Sequence, residues 1–204
     1  MNIHIVVFDG FDELDAIGPF EVFQMAARDG ADCSTAIVTQ KRREQTQASN
    51  GLTIVPDGVL PSPDETGNPD LLVVPGGGWT DAGGGVRREV EDGTLAKAVQ
   101  KHWENGAQVA SVCTGAMVLE QAGILASRPA VTHHSAIPDL RAAGVEVLDT
   151  RVVDTGDVLT AGGITSGIDL ALHLVSREFG EAIATSVAER LEYSHDGDVA
   201  TVPS

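Results

Sequence analysis

The chain is poor in cysteine, in lysine and in long apolar runs, and each shortage excludes something. Cys33 and Cys113 are the only cysteines in 204 residues, too few for a disulfide framework, so a reducing, cytoplasmic location is expected. The apolar stretch from Ile3 to Phe8 is too short to span a bilayer, and Met1-Asn2-Ile3-His4 lacks the basic opening of a signal peptide. Lysine is limited to Lys41, Lys97 and Lys101, and 30 acidic against 13 basic residues give a formal charge of −17. Such a field repels nucleic acid and anionic membrane, so neither is expected as a partner. The acids are scattered, as in Glu89-Val90-Glu91-Asp92 and Asp154-Thr155-Gly156-Asp157, which fits a halophilic surface solvated in high salt. An ordinary acidic cytosolic protein is the alternative.

What is present alternates between two periodicities. Ile3–Phe8, Cys33–Thr39 and Asp70–Val74 read as buried strands, with a shorter one in the turn and strand pattern Asn50–Val55. Ala107–Val112, Ala130–His134, Val145–Leu148, Arg151–Val153 and Val158–Ala161 read likewise. Helical faces are expected from Pro19 to Gly30, around Leu95, Val99 and Trp103, after Cys113, from Ile137 to Ala142, from Thr165 to Phe179 and from Gly180 to Leu191. Pro56 to Pro69 reads as loop. Strands alternating with helices predict an α/β fold with a mainly parallel central sheet and helices on both faces, in one domain over 1–195. Residues 196–204 read as a flexible tail.

The most informative stretch is Ala107–Ala116, where an apolar strand pattern ends at Cys113-Thr114-Gly115 and a helical pattern follows. This is the grammar of a nucleophile elbow. The positive end of the following helix is expected to favour the thiolate; the plainer alternative is a small core residue, and the strand-end position with a following Gly favours the functional reading. Two other strand ends carry chemistry: the acidic segment Asp9–Pro19 and the turn Pro75-Gly76-Gly77-Gly78, whose amides can approach an anion. Ligands of parallel sheets gather beyond the carboxyl ends of strands, where a thiol, a carboxylate and backbone donors would make a covalent catalytic site.

Leu14-Asp15-Ala16-Ile17-Gly18-Pro19-Phe20-Glu21-Val22-Phe23, Leu71–Gly77, Ser111–Ala116, Thr132-His133-His134 and Thr160–Asp169 together resemble the ThiJ/PfpI superfamily, a glutamine-amidotransferase-like group. The resemblance implies a flavodoxin-like sandwich, a homodimer and a small-molecule substrate. Within the superfamily, Asp15 and the Cys113-Thr114 pair look most like the isonitrile (isocyanide) hydratases, which add water to R–N≡C and yield an N-substituted formamide. By that likeness Cys113 is the nucleophile, Asp15 the acid and base, and Thr114 an orienting neighbour. The amides of Gly77 and Thr114 would form the anion pocket, with His133 and Gly76 beside the thiol. No metal or organic cofactor is implied. Apolar Leu14, Ile17 and Phe20 are expected to raise the pKa of Asp15 so that it holds a proton.

Each residue also has a plainer reading. Asp15 could cap a helix starting near Gly18 or Pro19, and Glu21 is a rival carboxylate. Asp12 and Glu13 read as surface charges. His133 and His134, adjacent in a strand, should point to opposite faces and so cannot share a metal. Asp169 and His173 are expected to share a helix face and hold the Gly162-Gly163 loop. Three other functions compete: a cofactor-independent glyoxalase-type or related cysteine enzyme, a thiol redox sensor, and a stand-alone ligand-binding module.

Overall fold

The computed structural model describes residues 1–65, 67–80, 84–194 and 198–202. In chain order the elements begin β1 (Asn2–Val7), α1 (Glu13–Arg28), β2 (Ser34–Thr39), β3 (Thr46–Gln47), β4 (Thr53–Ile54), β5 (Gly58–Val59) and β6 (Leu71–Val74). Next come α2 (Gly85–Asp92), α3 (Thr94–Glu104), β7 (Gln108–Val112), a 3₁₀ turn at Cys113–Gly115 and α4 (Ala116–Gln121). The remainder is a 3₁₀ turn at His134–Ala136, α5 (Ile137–Ala142), β8 (Val152–Asp154), β9 (Val158–Ala161), α6 (Ser166–Phe179), α7 (Glu181–Arg190) and β10 (Val199–Thr201).

Eight strands form one sheet in the order β10-β8-β9-β7-β6-β1-β2-β5, parallel throughout except for β8 against β9. Helices α1, α6 and α7 pack together on one face, and α2, α3 and α4 on the other. Burial on both faces explains the unbroken apolar runs: every residue of β6 is buried, as are Val109–Val112 of β7. This is the expected flavodoxin-like α/β fold. Among the described residues no helix is long and apolar enough to cross a membrane.

Five local expectations are corrected. Helix α1 begins at Glu13 rather than Pro19, because the Asp12 side chain accepts the Leu14 N–H at 3.3 Å and caps it. Pro19 sits inside the helix, where its missing N–H withdraws the intrahelical donor from the Asp15 carbonyl. The strands expected at Ala130–His134 and Val145–Leu148 shrink to a single bridge, Ala130 to Val147. The Pro56–Pro69 loop contributes the edge strand β5, and α2, a mostly charged segment whose apolar face is Val86 and Val90, was not anticipated. Finally, in place of a tail, Val199–Thr201 pair with β8, while residues 196, 197, 203 and 204 lie outside the described residues.

Candidate active site

Strands β1, β6 and β7 are neighbours, so the three chemically unusual strand ends meet at one edge of the sheet. At the end of β7 the chain reverses on Cys113, whose φ of 59° lies in the left-handed region. For a residue with a Cβ this conformation costs on the order of 1–3 kcal/mol and persists only when surroundings enforce it. Here the Cys113 N–H donates to the Gly162 carbonyl at 2.8 Å, and the Thr132 hydroxyl donates to the Cys113 carbonyl at 2.8 Å. The elbow is therefore held by the end of β9 and by the segment that follows the Ala130 bridge.

Gly76 lies between the thiol and the carboxyl. A Cβ there would meet Thr114 N at 2.6 Å, Asp15 Oδ2 at 2.7 Å and the Cys113 Cβ at 2.8 Å, so only hydrogen fits. Its amide donates to Asp15 Oδ2 at 2.9 Å. Asp15 is fully buried, and Oδ1 has no hydrogen-bond partner of ordinary geometry among the described residues. Burial first, then the Asp12 charge, push the Asp15 carboxyl up to about 8, against the opposing pull of the Gly76 amide and the Cys113 thiol. The direction and its cause, burial, are those expected, although Leu14 itself is 37% exposed and Gly76 and Cys113 also lie against the carboxyl.

The thiol shifts the same way. Burial and then the Asp15 carboxyl push Cys113 up to about 12, although the amides of Ile164 and Thr114 stabilise its sulfur. The expectation of a thiolate favoured by a helix end is thus corrected, because Cys113 is 5% exposed beside an acid and α4 spans only six residues. Both groups are shifted toward their protonated forms.

The anion pocket also differs. The Gly77 amide is taken, donating to the Thr114 Oγ1 at 3.0 Å, and the same hydroxyl lies 3.4 Å from the Gly77 carbonyl oxygen. Thr114 thereby pins the glycine turn to the elbow, as an orienting residue would. The backbone donors that face the sulfur are those of Thr114 and Ile164. Ile164 was not singled out, since a backbone donor has no side-chain signature. Its φ of 38° and the preceding Gly162-Gly163 are the only hints.

A cavity of 430 Å³ opens above the sulfur, walled by Asp12, Trp79, Cys113, Thr114, His133 and Ile164 among others. Asp12, read as a surface charge, therefore faces the site as well as capping α1, and burial raises its pKa. Trp79 is fixed by an indole N–H bond to Asp139 at 2.7 Å and by the Arg87 guanidinium stacked 3.8 Å over its ring. His133 and His134 do not diverge: their ring centroids are 4.0 Å apart and both border this cavity, because they open a turn instead of a strand. His133 Nδ1 accepts from Ser135 N at 3.3 Å, which leaves the proton of the neutral ring on Nε2. Burial and then His134 lower its pKa. Among the described residues no group of three His, Cys, Asp or Glu is arranged for a metal ion. Glu21 is exposed on α1 and does not join the site. Asp169 and His173 part company: Asp169 binds Arg151 Nε at 2.6 Å, whose carbonyl accepts from Gly162, whereas His173 binds Asp154 at 2.7 Å.

Comparison with known proteins agrees with this picture. The chain is 32% identical to an isonitrile hydratase of Pseudomonas putida over 197 residues, 95% of this chain and 79% of that one. It is 30% identical over 91% of its length to the transcriptional regulator CdhR of Pseudomonas aeruginosa, spanning 53% of that protein. A ThiJ/PfpI family protein from Pseudomonas syringae superposes with a TM-score of 0.81 at 25% identity, covering 96% of this chain and 76% of that one. The sequence profile of the DJ-1/PfpI family matches residues 1–177, and the chain belongs to that family.

Proposed function

We propose that the protein is a cysteine-dependent isonitrile hydratase that works through a thioimidate on Cys113. The observation carrying this reading is the buried Asp15 carboxyl, raised to about 8 and set against the thiol, because isonitrile chemistry needs a proton delivered to carbon. In the first step the Asp15 proton passes to the terminal carbon of R–N≡C, sulfur bonds to that carbon, and the thiol proton returns to the carboxylate. The product is Cys113–S–CH=N–R, with Asp15 again an acid. The Thr114 and Ile164 amides stabilise charge on sulfur while the bond forms.

Water entering from the cavity then adds to the same carbon. Asp15 gives a proton to the imine nitrogen and takes one from the water. Cleavage of the C–S bond, with the hydroxyl proton returning to sulfur, releases the formamide and the free thiol. Every proton is accounted for by Asp15, Cys113 and water.

The similarity to the hydratase supports this branch of the family, and the absence of histidine directly after Cys113 speaks against a Cys-His hydrolase. A thiol pushed up to about 12 is also a poor substrate for mild peroxide, which disfavours the redox-sensor reading. The test incubates purified protein with cyclohexyl isocyanide and, separately, with methylglyoxal, using Cys113→Ala as control. Formation of N-cyclohexylformamide by the wild type alone is expected; equal rates in both proteins, or turnover of methylglyoxal only, would refute the proposal. The same reading takes the protein as a cytoplasmic homodimer, and sedimentation of a lone 21.2 kDa species would count against the dimer.

A further inference from the structure

Beside the thiol cavity lies a second one of 540 Å³, and the two share His133, His134 and Ile164 as a common border. Their walls differ in character. Around the sulfur, Trp79 and Ile164 are the only large apolar side chains among the described lining; the rest is backbone, hydroxyl, carboxyl and imidazole. Across the border, Val131, Ile137, Leu148 and Ile164 bring branched hydrocarbon to one concavity, beside the hydroxyls of Thr132, Thr150, Thr165 and Ser166. Its rim holds one cation, Arg151, already bound to buried Asp169 at 2.6 Å and to the Thr165 hydroxyl at 3.1 Å. The exposed carboxylate of Asp149 stands on the same rim. No spare positive charge remains there for an anionic substituent.

An isonitrile is linear, so attack by sulfur on its terminal carbon leaves the substituent pointing away from the thiol. The polar first cavity offers it little apolar surface. We propose that the second cavity receives this substituent, so that the substrates are isonitriles bearing a bulky, uncharged hydrocarbon group. The inference rests on the isonitrile reading above. The volume of 540 Å³ falls inside the range of roughly 300–1,000 Å³ common to small-molecule sites. A methyl or isopropyl group would leave most of it to water.

The experiment measures kcat/KM for isopropyl, cyclohexyl and 1-adamantyl isocyanide in the wild type, Leu148→Trp and Ile137→Trp. Both positions border the second cavity without bordering the first, and both are half-buried, so the added ring enters the groove and spares the core. The adamantyl-to-isopropyl ratio is expected to exceed about tenfold in the wild type, since each buried methylene contributes roughly a fourfold factor. In either tryptophan variant the ratio should fall by about tenfold or more. Leu148→Asn, which adds polarity in place of bulk, should lower it too and covers the case in which a tryptophan variant does not fold. Thermal unfolding and near-UV circular dichroism check that each variant keeps the wild-type fold. Hydration that ignores substituent size, or a ratio untouched by all three variants, overturns the subsite while leaving isonitrile hydration standing. No hydration of any of the three compounds by a wild-type protein that unfolds cooperatively overturns both.

Discussion

Asp15 and Asp154 are both almost entirely enclosed, at 0% and 3% exposure, yet their environments drive them in opposite directions. Asp154, at the end of β8, accepts from His173 Nε2 at 2.7 Å, from Arg177 Nη1 at 3.0 and 3.1 Å, and from the Gly156 amide at 2.8 Å. Although burial alone would raise it, these partners hold its carboxyl below the ordinary carboxylate range. Asp15 has one amide, a neutral thiol and the like charge of Asp12, and it is pushed up to about 8. Burial sets the stakes, and the partners decide the charge. A matched cluster makes an inert ionic rivet; an under-partnered carboxyl keeps a proton it can give away.

The sharpest way to break this contrast is to exchange the consequences. Cys113→Ala should remove isonitrile turnover by at least on the order of 10³-fold, and Asp15→Asn should lower it by about 10²–10⁴-fold without unfolding the protein. The formamide assay together with thermal unfolding checks both. Asp154→Ala should do the reverse, leaving the Arg177 and His173 groups without their carboxylate and destabilising the fold by about 3 kcal/mol or more. Chemical denaturation measures that loss; wild-type stability in this variant would mean that the cluster contributes nothing net.

The pH response separates the two carboxyls next. A raised acid contributes stability that is fully present below its unfolded value near 3.8 and is lost as pH climbs toward about 8. Wild-type stability should therefore decline between pH 4 and 8, and Asp15→Asn should flatten that slope. Turnover should likewise fall above pH 8 as Asp15 loses its proton. Asp154, being lowered, contributes stability above 3.8 that is lost as pH falls through its folded value, so its variant should differ from wild type least in acid. Parallel unfolding profiles for wild type and Asp15→Asn from pH 4 to 8 would contradict the assignment.

The smallest expected effect concerns the surface as a whole. If the scattered acids that bring the net charge to −17 mark a halophile, molar potassium chloride should raise the melting temperature by about 2–4 °C for each kcal/mol of repulsion relieved. Equal melting in dilute and molar salt would leave an ordinary acidic protein.

Legibility follows the range of the forces involved. Leu71–Val74 and Val109–Val112 read as two-sided strands because continuous apolar side chains are a local signal. The corner at Cys113 was visible for the same reason. Asp12 was misread because its cap on Leu14 is local, while the cavity it faces is walled by Trp79, Thr114 and His133, far along the chain. The start of α1 at Pro19 rested on the proline alone, and the Asp12 cap places it at Glu13. His133 and His134 were assigned opposite faces from strand geometry, and that failed once the segment had no neighbour to pair with beyond Ala130.

Motif order and side-chain periodicity along the chain were enough to indicate the α/β sandwich and to bring the thiol, the acid and the glycine turn to one sheet edge. Protonation and donor supply were not legible there: that Cys113 and Asp15 are both shifted toward their protonated forms, that Thr114 occupies the Gly77 amide, and that Ile164 replaces it at the sulfur. Those properties depend on desolvation and on hydrogen bonds between residues as far apart as 15 and 76, or 113 and 162. They come into being only when folding expels water and brings the distant partners within reach.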